Sequence, residues 1–342
     1  MTKMTRIALA ALAVMGATTA MAQSSVTLYG RINTTVERQK LGDVSNTVMQ
    51  NNASRWGIRG VEDLGGGLKA GFVLESGFSS DTGAAASTFF GRQSEVNLSG
   101  NFGMVRLGNF FPESYFATAD YVSMHNHDTG PSADALYIDP VWMGSAGGAA
   151  AVSQGGRVDA LGSGNKIAYR TPVFGGFWAE GAMSFHEKAT VQEKNGYDLA
   201  VNYATGPLAL GGGYSQVGGA KQLGLRASYT FGQFVVGGYY QRNDEFTLGT
   251  RNNFRLSGMY TLGASEFHAN VGRANSWSNR DDSAATQWTL GYNYNLSKRT
   301  KVYTYYTRIN NGKNAAYGTV YGAADSMGKD FSSFAVGVRH AF

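Results

Sequence analysis

The chain has no cysteine, so no disulfide braces it. Prolines number only 5 in 342 residues, and no Pro/Ser-rich linker or composition break divides the sequence. Length alone suggests two domains, but the missing boundary favours one continuous unit. After the N-terminal region no apolar run reaches the ~18 residues that a membrane-spanning helix needs. Charged residues make up 15%, below the usual ~25% for a soluble domain. The 29 basic and 24 acidic residues leave a weak excess, whereas a nucleic-acid surface needs a dense basic patch, so no nucleic-acid partner is expected. Phosphate-binding loops are missing too. Gly65-Gly66-Gly67 and Gly211-Gly212-Gly213 lack both the G-x-G-x-x-G spacing and a following helix. The first reads as a turn and the second as a strand where bulk is excluded. No cofactor is implied.

What is present starts with an export signal. Lys3 and Arg6 precede an apolar run from Ile7 to Ala17, and Ala20-Met21-Ala22 has the small-x-small form of a cleavage site. Residues 1–22 are therefore expected to be a secretory signal peptide; the competing reading is a short buried helix. The mature chain, 23–342, would lose Lys3 and Arg6, leaving 27 basic against 24 acidic residues, a formal +3.

Glycine is abundant, at 47 residues, and aromatics reach 13%, which suits extended, closely packed strands. From Val26 onward apolar and polar residues alternate in segments of about ten, the length of a tilted strand crossing a bilayer. Val26, Leu28, Ile32 and Val36 alternate with Thr27, Arg31, Asn33 and Glu37. Leu68, Ala70, Phe72 and Leu74 alternate with Lys69, Gly71, Val73 and Glu75. Trp288, Leu290, Tyr292 and Tyr294 oppose Thr289, Gly291 and Asn293. Successive strand side chains point to opposite faces, so each segment has one oily and one polar or glycine-containing face.

Sixteen candidate strands follow: 26–37, 52–62, 67–78, 88–99, 102–109, 164–170, 176–185, 195–204, 207–216, 220–231, 233–242, 251–261, 265–275, 284–296, 300–309 and 331–342. In 300–309 the parity is open, because Val302 and Tyr303 compete for the outer face. Short turns such as Asp63–Gly66, Thr205–Gly206 and Ser297–Arg299 alternate with mostly longer polar loops, the longest being about 110–163. Short turns at one end and long loops at the other are the habit of outer-membrane barrels. An even count also brings both termini to the short-turn end.

Alternation suits a soluble barrel as well as a membrane barrel. Three features favour the membrane. The chain carries an export signal. Sixteen strands enclose a bore too wide for side chains to fill. Aromatics sit at segment ends (Tyr29, Tyr203, Tyr229, Phe231, Tyr260, Tyr294 and Phe342), as interfacial girdles require. The expected fold is all-β: a 16-stranded antiparallel transmembrane β-barrel with short periplasmic turns and long extracellular loops, in the bacterial outer membrane. The ending His340-Ala341-Phe342 resembles the signal read by the barrel assembly machinery, with Phe342 as its aromatic terminus.

Ser24-Ser25-Val26-Thr27-Leu28-Tyr29-Gly30 resembles the mature start of general porins of the Neisseria, Bordetella and Burkholderia type. Ser54 to Ala70, reading SRWGIRGVEDLGGGLKA, resembles their second hairpin. Phe90-Gly91-Arg92-Gln93, Leu98-Ser99-Gly100-Asn101-Phe102-Gly103 and Gly337-Val338-Arg339-His340-Ala341-Phe342 follow in the same order. The resemblance implies a homotrimer and a third loop, here 110–163, folded into the lumen. Within that loop, the Gly/Ala-rich Ala146–Ala151 and Met124-His125-Asn126-His127 depart from the family pattern.

Parity turns Arg31, Arg55, Arg59, Arg106 and Arg170 toward the lumen. Strict alternation from Val96 and Leu98 would turn Arg92 toward lipid, at a cost of roughly 2–4 kcal/mol near the midplane; a bulge or a position above the lipid is expected instead. The resemblance implies a constriction cluster of Arg55, Arg92, Arg106 and Arg170. Pairing with Glu62, Glu75 or Glu95 is the plainer role for these arginines. Opposite them, the long loop offers Glu113, Asp120, Asp128, Asp134 and Asp139, arranged to set up a transverse field; solvated loop acids are the plainer reading. Two charges ~8 Å apart in water interact by only ~0.5 kcal/mol, so the expected selectivity is a weak anion preference for small hydrophilic solutes and ions.

Two rivals remain. A barrel enzyme needs a nucleophile with a nearby base, and no G-x-S-x-G is present. His125-Asn126-His127-Asp128 is a weak metal motif, and no metal site is expected. A substrate-specific channel would carry an aromatic run along its lumen; Tyr239 and Trp178 turn inward but form no run in the sequence.

Overall fold

The computed structural model describes residues 24–120, 134–137, 164–186, 194–318 and 326–342. The expected signal segment lies outside them. The strands are β1 (Ser25–Leu41), β2 (Val44–Asn51), β3 (Arg55–Gly65), β4 (Leu68–Gly77), β5 (Gln93–Gly100), β6 (Gly103–Asn109), β7 (Lys166–Arg170), β8 (Phe177–Ser184) and β9 (Gly196–Thr205). They continue with β10 (Leu208–Val217), β11 (Ala220–Phe231), β12 (Phe234–Glu245), β13 (Gly249–Leu262), β14 (Ser265–Ala274), β15 (Ala285–Asn295), β16 (Thr300–Asn311) and β17 (Phe331–Ala341). Each pairs antiparallel with its neighbour, and β1 closes the ring on β17, from Arg31 opposite Ala341 to Leu41 opposite Phe331.

The ring has sixteen wall positions, because β2 and β3 lie end to end along one side of β1. The expected strand 52–62 corresponds to β3 alone, which starts three residues later at Arg55, and β2 is an additional strand. At the break, Ala53 takes a left-handed φ of 55°. Asn33 spans the gap: its amide donates to Ser54 Oγ at 3.0 Å and its carbonyl accepts from the Asn52 amide at 2.9 Å. The first loop, expected over 38–51, is a hairpin that extends β1 to Leu41 and returns as β2. It escapes a period-two reading because Arg38 to Asn51 carries no continuous oily face. The expected strand 88–99 begins only at Gln93; residues 88–92 are loop.

The side-chain pattern is inside out. Leu256 is 65% exposed, whereas its neighbour Arg255 on β13 is 1% exposed. Val26, Leu28, Val336 and Leu290 are likewise exposed, and Asn33, Glu37, Gln287 and Ser333 are buried. A water-soluble fold would reverse that arrangement; a barrel surrounded by hydrocarbon requires it. The parity left open in β16 resolves inward for Tyr303 and Tyr305. Tyr303 donates to Asn33 Oδ1 and Tyr305 to Glu37 Oε1, both at 2.7 Å.

Near the short turns the outer face carries a run of rings: Phe231 stacks on Phe234 (5.4 Å), Phe234 on Tyr260 (4.6 Å), and Phe267 lies against Tyr292 (5.2 Å). Tyr29 does not belong to this girdle, contrary to the sequence expectation. It sits on the inward parity of β1, and its hydroxyl donates to Glu75 Oε2 at 3.0 Å.

Candidate pore constriction

Inward parity on β3, β6 and β7 places Arg55, Arg59, Arg106 and Arg170 on one stretch of wall. Arg92 joins them from the bend before β5, where strand alternation no longer applies. It is therefore neither bulged nor facing lipid. Its Nε donates to Glu75 Oε1 at 2.6 Å, and Arg55 Nε lies 3.8 Å from the same oxygen.

A second chain of ion pairs runs alongside. Arg106 reaches Glu95 at 2.6 Å and Glu180 at 3.2 Å. Arg170 meets Glu180 at 2.8 Å and Glu113 at 2.7 Å. Three of these arginines also lie over a ring: Arg92 over Phe111 (5.5 Å), Arg106 over Phe110 (4.0 Å) and Arg170 over Trp178 (4.6 Å). Arg59 lies over Tyr29 at 5.1 Å. Arg31 is farther along the wall, with Nη2 3.2 Å from the Ala53 carbonyl.

The long loop enters the lumen directly after β6. Phe110 is wedged between Arg106 and Lys166, whose Nζ donates to the Phe110 carbonyl at 2.5 Å. A single helical turn, α1 (Glu113–Tyr115), and a π-helical turn (Phe116–Asp120) then lie against β9, β10 and β11. Close approach is possible because that wall is nearly bare. A Cβ on Gly213 would stand 2.6 Å from Ser114 Cα, and one on Gly224 would collide with Thr118. Polar groups fasten the contact. The Ser114 amide donates to Asp198 Oδ1 at 3.2 Å, its hydroxyl bonds the other oxygen, and Arg226 Nε donates to the Ala117 carbonyl at 3.0 Å.

A second piece, 134–137, is fastened to the neighbouring wall. Asp134 accepts from Arg255 Nη2 at 2.9 Å and from the Tyr239 hydroxyl. Asn253 Nδ2 donates to the Leu136 carbonyl at 3.0 Å and Arg251 Nη2 to the Tyr137 carbonyl at 3.1 Å. Leu136 fills a small apolar cluster with Ala274, Ala285, Ile309, Tyr317 and Phe331. The two described pieces of the loop thus lie side by side, on the β9–β11 wall and on the neighbouring β12–β15 wall, and meet at Tyr115 and Tyr137.

These positions revise the expected opposition of charges. Glu113 does not face the arginines across the lumen; it is bonded to Arg170 on their side. Burial pushes its carboxyl up to about 7, and Arg170 holds it from rising further. Asp134 is on the other wall, but Arg255 neutralises it. Asp120 closes the π-helical turn, while Asp128, Asp139, His125 and His127 lie outside the described residues. Phe342 exchanges backbone hydrogen bonds with Gly30 at 3.1 Å, and its ring covers that glycine's bare face.

Sequence reasoning missed Glu180, Arg226, Arg251 and Arg255 as functional residues. All four have inward parity, the signal by which Arg106 and Arg170 were found. Alternation has no means of showing which inward residues a loop will cover.

A cavity of about 520 Å³ remains between the β1–β7 wall and the Phe111–Phe116 segment. Its charged lining is Arg59, Lys69, Arg106 and Arg170 against Glu95 and Glu113. A closed barrel with an oily outside, a charged inside and loop segments docked on its inner wall is the architecture of a diffusion channel.

The comparisons agree with this architecture. The model of the Gram-negative porin family matches residues 8–314. This chain belongs to that family. The porin is 37% identical to outer membrane porin protein 32 of Delftia acidovorans, across 99% of this chain and 100% of the relative. It is 28% identical to an outer membrane porin protein of Bordetella pertussis, across 94% and 96%. Among solved structures, an anion-selective porin from Comamonas acidovorans superposes with a TM-score of 0.72 at 31% identity, covering 94% of this chain and 100% of that one. OmpT of Vibrio cholerae, solved in a trimer form, shares the fold at a TM-score of 0.67 and 18% identity, covering 93% and 99%. The porin is an outer-membrane protein, and its barrel is a passive water-filled channel for small hydrophilic solutes and ions.

Proposed function

We propose that the cavity beside Arg55, Arg92, Arg106 and Arg170 is the narrow passage of this porin, and that it gives the channel a weak preference for anions. The observation carrying this is the unequal charge of the cavity lining: Arg59, Lys69, Arg106 and Arg170 against the two carboxylates of Glu95 and Glu113. A carboxylate whose pKa is near neutrality spends part of its time protonated, which widens the imbalance. Similarity to a porin described as anion-selective supports the same sign. The preference stays weak because most of these charges are paired and water screens the remainder.

The channel acts without catalysis. It is exported by residues 1–22, which are then removed, is delivered to the barrel assembly machinery through Phe342, and assembles as a homotrimer. Residues 23–342 form its single domain. These parts rest on family membership and on the sequence patterns described above. Purified protein in a planar bilayer under a KCl gradient tests the central claim. A reversal potential on the chloride side and conductance steps in groups of three are expected; clear cation preference overturns it.

A further inference from the structure

The arginines of the basic wall follow a common pattern. Arg92, Arg106 and Arg170 each meet at least one carboxylate and an aromatic ring: Arg92 has Glu75 and Phe111, Arg106 has Glu95, Glu180 and Phe110, and Arg170 has Glu180, Glu113 and Trp178. Arg59 has the ring, Tyr29, but no carboxylate among the described residues. It is exposed and opens into the 520 Å³ cavity, together with Lys69, which also has no acidic partner among them. The loop side of that cavity is aromatic. Phe111 and Phe116 meet edge to face at 6.3 Å and 77°. The rings continue through Tyr115 and Tyr137 to Tyr239, with centroid spacings of 5.5, 5.4 and 6.2 Å. The aromatic run missing from the linear sequence is thus assembled by the loop.

We propose that this cavity is a subsite for single-ring aromatic carboxylates, with the carboxylate on Arg59 and Lys69 and the ring against Phe111 and Phe116. The proposal deepens the anion-channel reading and rests on it. The volume falls within the ~300–1,000 Å³ of small-molecule sites. The carboxylate completes the arrangement that Arg59 lacks, at charge-assisted hydrogen-bond strength. An arene adds edge-to-face contacts that a saturated ring of equal charge does not make. Guanidinium groups over ring faces favour the arene in the same direction.

Chloride current through the purified porin in planar bilayers reads this out, with benzoate, cyclohexanecarboxylate and acetate as added anions. Benzoate is expected to depress the current at concentrations about threefold or more below those of cyclohexanecarboxylate, with acetate weakest. Cyclohexanecarboxylate is the more oily of the two rings, so simple partitioning predicts the reverse order. Phe116→Leu should bring benzoate to the level of cyclohexanecarboxylate, and Arg59→Gln should weaken both. Equal block by the two ring acids in the unaltered protein, or an unchanged benzoate block in Phe116→Leu, overturns the subsite while leaving anion preference intact. Absent chloride preference overturns the anion-channel reading, and the subsite with it.

Discussion

Two walls of this barrel use arginine in opposite ways. On β3 to β7, with Arg92 in the bend before β5, Arg55, Arg59, Arg92 and Arg170 reach solvent and meet carboxylates or rings at the cavity edge, while Arg106 is buried between Glu95 and Glu180. On β11 and β13, Arg226, Arg251 and Arg255 are buried beneath the long loop and hold its backbone and Asp134. The residue type, the inward parity and the barrel are shared. What differs is cover. An arginine left at the cavity edge attracts passing anions, whereas one roofed by a loop becomes a fastener. Most of its five donors are then committed to fixed acceptors.

That contrast is most sharply tested by removing a fastener. Arg255→Ala leaves Asp134 buried on the far wall without its cation. Breaking a buried pair from one side costs about 3–5 kcal/mol, here charged to loop docking rather than to the barrel. Larger and noisier single-channel conductance is expected, with the heat-resistant folded band on gels retained. Unchanged conductance would place Arg255 among ordinary wall residues.

Gly213→Val attacks the same docking from the opposite side, by bulk. Overpacking of this kind costs about 1–3 kcal/mol, so the loop should shift from β10 and conductance should rise, by less than in Arg255→Ala. Gly258→Val serves as control, because a Cβ there meets nothing within 4 Å.

The basic wall answers to pH instead. The Glu113 carboxyl is raised from 4.5 to about 7, so the folded protein favours its protonated form. Its contribution to loop docking is therefore complete below about pH 4.5 and declines as pH rises through about 7. Protonation also removes one negative charge beside Arg170. Anion preference should strengthen as pH falls through neutrality, and Glu113→Gln should flatten that step in reversal-potential titrations. A step that survives in the variant assigns it to another group.

The smallest effect is expected from a single cavity cation. Arg170→Gln removes one charge of several in a screened passage, so the anion-to-cation permeability ratio should fall about twofold at low salt and less at high salt. Equal loss at both salt concentrations would mean that the substitution had moved Glu113 or Glu180 rather than the field.

The barrel was legible in the chain because its driving pattern is local. Leu28 and Arg31, or Leu256 and Arg255, declare their faces through period two alone. Legibility faded where that pattern stops. The β1–β2 hairpin stands above any oily belt, so Arg38 to Asn51 looked like loop. Arg92 sits one residue before a strand, so parity misplaced it. Tyr29, near a strand end, looked like a girdle residue, although the two-residue repeat that turns Leu28 outward turns Tyr29 inward.

By itself, then, the order of residues determined a sixteen-position closed sheet, oily outside and polar within, with one loop too long to be a turn. Each follows from the two-residue repeat and from chain length between repeats. Only the tertiary structure decided which inward arginines face water, that Glu113 joins the basic wall instead of opposing it, and that five rings line up from Phe111 to Tyr239. Those outcomes depend on where residues 110–120 and 134–137 come to rest on strands as distant in the chain as β17, whose Phe331 packs in one cluster with Leu136. That placement is set by bare glycines and buried acceptors on the opposite wall, information that no local pattern contains.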